Sequence, residues 1–245
     1  MQGEYLYGSI RGSLQTPAGG QPGTTSLRRP TLDEIGIDRG SVADAAVVAE
    51  SGPHALYLGG QWVGASGTAT LRDPLVSHAK AFPAGTTVRS DLSLDWYRLG
   101  YAYTYVAATT AGGAPVLTFR PAAGAALFTF DYRVRDDADP GRVATRSYGR
   151  VLPQVGLEAE WRPGGGPFAL SAGALGFPAI GTVTPGISTE HLVAGYRWSP
   201  SRSLTLDGFV GVAFEQFAYE DNQPVPNRIR ADLGPALVVG LTARF

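Results

Sequence analysis

Cysteine is absent from this 245-residue chain, so no disulfide staples it and no thiolate holds a metal. Methionine occurs once, as Met1, and no charged-then-apolar export leader follows it. Charge is scarce and balanced: 20 Lys and Arg against 21 Asp and Glu leave a formal −1. The basic stripe that a nucleic-acid partner needs is therefore missing. No stretch approaches the roughly 18 consecutive apolar residues of a membrane-crossing helix. That excludes a spanning helix but leaves a β-barrel open, because a barrel shows its apolar residues only at every second position.

Apolar residues (44%) and glycine (33 positions) are plentiful, and they are arranged in alternation. From Ile229 to Phe245 every odd position is non-polar, while Arg230, Asp232, Thr242 and Arg244 occupy even ones. Successive side chains of a strand point to opposite faces, so this reads as one apolar face and one polar face. The same alternation marks residues 4–14, 54–64, 88–96, 124–134 and 151–161, more weakly 41–50, and approximately 168–177, 191–198 and 204–217. The apolar phase slips by one at Tyr97-Arg98, after which Leu99, Tyr101, Tyr103 and Tyr105 take over the apolar face. Trp96-Tyr97-Arg98-Leu99 lacks the Asn, Asp or Gly of a two-residue hairpin turn, so a β-bulge inside one long strand is expected. Bulges are also expected at Pro121, Pro153 and Pro235, since proline cannot donate to the ladder.

Connectors alternate in length, short near 51–53, 110–115, 162–167 and 199–203, and long near 15–40, 66–85, 136–146, 181–189 and 219–227. An apolar-out, polar-in strand that ends the chain on Phe245, with short and long connectors taking turns, resembles the bacterial outer-membrane β-barrel proteins. The resemblance implies an all-β fold: a single antiparallel up-and-down transmembrane barrel over residues 1–245, of about ten strands with twelve as the alternative. Short periplasmic turns and long extracellular loops follow from it. So do residence in the bacterial outer membrane with an export signal already removed, outer-membrane lipids as neighbours, and recognition of the C-terminal strand by the barrel-insertion machinery. A protein partner, where one exists, is expected at the loops; no cofactor, metal or nucleic acid is. A soluble β-barrel would also alternate, with its apolar face inward. Trp96, Trp161, Tyr196, Trp198 and Phe245 lie near the short turns, as interfacial aromatics would.

With the apolar phase outward, the expected lumen network comprises Arg11, Arg89, Arg133, Arg135, Arg197, Arg230 and Arg244 with Asp91, Asp95, Asp131, Glu158, Glu160, Asp207, Glu215 and Asp232. Charges confined in a narrow lumen should pair. They could line a narrow porin-like channel or form a packed plug, and barrels of about eight strands are just filled by side chains. A largely filled barrel with a structural, surface or assembly role is therefore expected. An outer-rim lipid A-modifying enzyme or protease is the third reading. Ser188-Thr189-Glu190-His191 has suitable residue types and His78 sits in a long loop, but Glu190 and His191 should face opposite ways. Gly164 to Gly166 reads as a turn, lacking the helix and Lys-Ser/Thr of a phosphate loop. In the first long loop, Thr31 and Glu34 form a capping box for a short helix stopped at Gly36, with Ile35 and Ile37 as its apolar face. That helix could cover the barrel mouth, dip inward near Arg28 and Arg29, or dock on a partner.

Overall fold

In the computed structural model, which describes residues 1–177, 184–201 and 203–245, ten antiparallel strands close into a barrel. They are β1 (Gln2–Gln15), β2 (Arg39–Ser51), β3 (His54–Thr70), β4 (Thr87–Tyr103), β5 (Pro115–Asp136), β6 (Val143–Trp161), β7 (Phe168–Phe177), β8 (Thr184–Trp198), β9 (Thr205–Glu220) and β10 (Arg228–Arg244). Each pairs with the next in sequence, and β10 pairs back onto β1. Closure removes the unpaired edges that an open sheet would expose. The turns after β2, β4, β6 and β8 share a rim with both termini, where the Met1 amine bonds the Ala243 carbonyl at 2.7 Å. The turn after β4 includes a short extra strand, Tyr105–Thr109, folded back along β5. The other rim carries connections 16–38, 71–86, 137–142 and 221–227; the remaining one, 178–183, lies outside the described residues.

The barrel is divided across its axis into two halves of opposite polarity. In the half nearer the short turns, apolar side chains point outward from every strand. Examples are Tyr5, Val47, Leu58, Leu99, Leu127, Val155, Leu170, Leu192 and Val212, with Leu237, Val239 and Leu241 on β10. In the half nearer the long loops, the outward positions are Ser9 and Arg11 on β1, Ser66 and Thr68 on β3, Asp91 and Ser93 on β4, and Thr145 and Ser147 on β6. The inward positions there are apolar: Ile10, Leu14, Val63, Leu92, Phe130, Tyr132, Val134, Ile229 and Leu233 are all buried. On β5 the outward apolar run extends from Leu117 to Leu127, and on β6 from Val151 to Trp161. Ten residues at about 3.3 Å each, tilted by about 40°, rise about 25 Å, the height of a lipid-facing belt. Above it the wall is built like a water-soluble barrel.

The two halves meet by two different devices. β4 keeps one continuous register against both β3 and β5, with Gln61 opposite Trp96 and Gly60 opposite Tyr97. The bulge expected at Tyr97-Arg98 is therefore absent. The sequence phase slips because the strand crosses from one zone into the other. β10 does the reverse. Its sequence phase runs unbroken, yet a bulge at Gly234-Pro235 shifts the register against Ser9 on β1 and Phe214 on β9. Gly234 supplies the positive φ of 127° that this requires. Thus Ile229, Ala231 and Leu233 face in while Leu237, Val239 and Leu241 face out. Pro121 and Pro153 sit in unshifted register, with outward faces and no bulge.

Loop residues complete the upper half. Residues 30–38 fill the wall between β1 and β3 above the point where β2 begins: Leu14 N–H bonds the Pro30 carbonyl, Leu32 N–H the Gly12 carbonyl, and Ile10 N–H the Asp38 carbonyl, at 3.1, 3.0 and 3.0 Å. The expected helix is a single 3-10 turn, Asp33–Ile35, ended at Gly36 with φ 87°. Thr31 N–H donates to Glu34 at 2.9 Å, the return half of the capping box, but no hydroxyl caps the turn. Leu32, Ile35 and Ile37 all enter the core. The second loop adds a hairpin, Leu75–Ser77 with Lys80–Phe82, which buries Leu75 and Phe82 and is tied to the first loop by Thr16–Ser77 at 2.8 Å.

Candidate functional site

The interior falls into three levels. Uppermost, aromatic rings from opposite walls touch across the lumen. Phe128 of β5 stacks on Phe217 of β9 at 5.0 Å, Phe130 on Tyr148 at 5.0 Å, and Tyr148 packs against Tyr219 at 4.8 Å. Trp96 of β4 meets Phe177 of β7 edge-on at 5.7 Å. Pairs of this geometry add about 0.5–1.5 kcal/mol each beyond the area they bury.

Below the rings lies a polar layer. Gln61 Nε2 of β3 donates to Glu215 Oε1 of β9 at 2.8 Å, spanning the lumen, and the Thr189 hydroxyl donates to Glu215 Oε2 at 2.7 Å. Arg98 pairs with Asp44, both largely buried, and Glu4 sits directly opposite Asp44 on the neighbouring strand. Lowest, at the short-turn rim, Asp207 receives Arg197 at 2.7 and 3.1 Å, Arg244, and Arg162 at 3.7 Å. Arg162 is held in turn by Glu160 at 2.6 and 3.1 Å. Aromatic side chains reach over glycines in this half: a Cβ on Gly100 would meet the phenol end of Tyr57, and one on Gly240 the tip of the Phe209 ring, so neither position has room for a side chain.

The expected lumen network is split by the polarity change. Glu158, Glu160, Arg197, Asp207, Glu215 and Arg244 point inward. Arg11, Arg89, Asp91, Asp95, Asp131, Arg133, Arg135, Arg230 and Asp232 point outward, because they lie in the upper half where the wall meets water. Glu4, Asp44, Arg98, Arg120 and Arg162 line the interior unanticipated. Glu4 shares a parity with Leu6 and Ile10, which marked it as apolar-facing, and the assumed bulge hid Arg98. Trp96 is buried in the core rather than placed at an interface, because β4 turns that position toward the lumen. Trp161, Tyr196, Trp198 and Phe245 are exposed at the short-turn rim.

The histidines are dispersed. Ser188 and Glu190 face outward and bond each other at 2.8 Å, while His191 faces inward over Gly173, so the wall separates them. His78 occupies the hairpin turn with φ 46°, its N–H on the Thr16 carbonyl at 2.8 Å. His54 is exposed beside the Tyr101 hydroxyl at 2.6 Å. Gly164 and Gly165 form a turn with φ 61° and 67°. Among the described residues no group of three or more His, Asp or Glu converges to hold a metal ion.

A closed antiparallel barrel whose every strand turns apolar side chains outward over a common belt is a β-barrel of the bacterial outer-membrane type. No family model and no curated protein matches the sequence. Among solved structures the chain is similar to a FadL homologue from Pseudomonas aeruginosa, at 11% identity and a TM-score of 0.30 over 100% of this chain and 89% of that one. It is also similar to two mutants of the monoaromatic hydrocarbon channel TodX, each at 8% identity and a TM-score of 0.25 over 100% and 90%.

Proposed function

We propose that the protein is a closed, non-conducting outer-membrane barrel that acts through the surface formed by its long loops. The observation that carries this reading is the ring stack across the upper lumen, Phe128–Phe217 and Phe130–Tyr148–Tyr219, backed by Trp96–Phe177. An aqueous path would have to part these contacts, since rings at van der Waals distance leave no room for water between them. The tie between loops one and two, Thr16 to Ser77 and Ser26 to Val76 at 2.8 Å each, supports a firm outer surface suited to contact or assembly. On this reading the precursor is exported with a leader that is then removed. Outer-membrane lipids surround the belt, and the C-terminal strand with its exposed Phe245 engages the insertion machinery. Purified protein reconstituted in planar bilayers should give no reproducible current steps; a recurrent ohmic step would replace this reading with a narrow solute channel.

A further inference from the structure

The polar layer contains an acceptor without a donor among the described residues. Gln61 is 1% exposed, and its Nε2 is committed to Glu215, yet its Oε1 has no hydrogen-bond partner there. In this orientation Nε2 donates to the Glu215 carboxylate, the arrangement that an ionised Glu215 requires. Glu215 accepts from two neutral donors, and among the described residues neither it nor Glu4 forms an ion pair. Arg98 is the guanidinium of this layer and is bound to Asp44, leaving three carboxylates to one cation. Arg120 lies lower, beside Glu158, and turns to Glu50 at 3.3 Å. An acceptor-rich enclosure with one cation to three carboxyl groups can take up protons, or a cation that donates hydrogen bonds in their place.

We propose that a small primary amine, as its ammonium, binds in this layer between Gln61 Oε1, Glu215 and Glu4. Three N–H donors on one positive charge match three acceptors from β3, β9 and β1. A metal ion is a poorer match, since the carboxyl groups of this layer do not form a set that could hold one and Asp44 is already taken by Arg98. The amine enters from the short-turn rim. Below the layer the inward positions Ala46, Gly59, Gly195 and Gly211 are small and only partly buried and leave room beside the Tyr57 and Phe209 rings, whereas the aromatic stack bars the other direction. The site is independent of whether the barrel conducts.

Calorimetric titration of the micelle-embedded protein with methylammonium chloride at low ionic strength tests this, with tetramethylammonium, equal in charge but without N–H donors, as the control. Saturable binding of methylammonium alone is expected, weakened at least tenfold by Glu215→Gln and by Gln61→Met, each verified as folded by heat-modifiable gel migration. Absence of wild-type binding, equal binding of tetramethylammonium, or unchanged binding in both folded variants overturns the proposal. If the variants do not fold, the wild-type protein decides alone. Its thermal midpoint should rise with methylammonium and not with tetramethylammonium, and equal shifts refute the site.

Discussion

Two arginine substitutions on the outer face of β6 separate a membrane barrel with a protruding upper half from a barrel exposed to water throughout. Val155 and Ser147 both point outward and exposed, eight positions apart on one strand. At about 3.3 Å per residue and a tilt of about 40°, that is about 20 Å along the barrel axis. Val155 lies near the middle of the outward apolar run Val151 to Trp161, flanked by Ala123 on β5 and Gly176 on β7. Ser147 lies in the polar zone opposite Asp131. Val155→Arg should cost about 2–4 kcal/mol, the range for arginine near the bilayer midplane. Ser147→Arg should cost about 0–1 kcal/mol or gain slightly from Asp131. Equilibrium guanidinium unfolding in phospholipid vesicles, followed through tryptophan fluorescence, measures both. Equal costs, each within about 0.5 kcal/mol of zero as for ordinary surface changes, would refute the zoned wall.

Other outcomes follow from individual contacts. Phe130→Ala, which empties a fully buried site between Tyr148 and Phe217, should lower unfolding free energy by about 3–5 kcal/mol, as in a soluble core. Removing one partner of the buried Arg98–Asp44 pair, as in Arg98→Met, should cost about 3–5 kcal/mol in the same assay, because Asp44 is left alone. Ala79, held at φ 61° in the loop-two hairpin, should tolerate Gly with a gain of up to about 1 kcal/mol. Glu34 in loop one is held below the usual carboxylate range: burial alone would raise it, but the Arg28 guanidinium at 2.6 Å and the Thr31 N–H outweigh that. A lowered folded value stabilises the loop above the unfolded value near 4.3 and loses that stabilisation as pH falls through the folded one. Amide protection factors at Leu32 to Ile37, taken relative to the intrinsic exchange rate at each pH, should therefore fall below about pH 4, and pH-independent protection would contradict the role given to Glu34.

Much of the architecture is legible in the sequence. Ten strands, the alternation of short and long connectors, and both termini on one rim emerge from period-2 patterning and turn residues alone. What misleads is the assumption that each strand keeps one polarity from end to end. Asp91, Asp131 and Arg133 read as inward only if Leu92 and Phe130 face lipid, whereas both belong to a dry upper core. The phase slip at Tyr97 is the visible sign of the boundary, and a bulge is the wrong explanation for it. On β10 no such sign exists, since the Gly234-Pro235 bulge inverts the faces while the alternation runs on unbroken. Gln61 escapes notice because an isolated amide on a strand announces nothing; only the cross-lumen contact with Glu215, 154 positions away, gives it meaning.

The chain has no native cysteine, so single introduced cysteines can carry a spin label without interference. Labels at Ala123 and Val239, within the belt, should be relaxed by oxygen and shielded from a water-soluble nickel chelate when the barrel is in vesicles. Labels at Asp131 and Arg230, on the same two strands above it, should show the opposite preference. Chelate access at all four positions would contradict a lipid-embedded lower half beneath an outer half bathed in water.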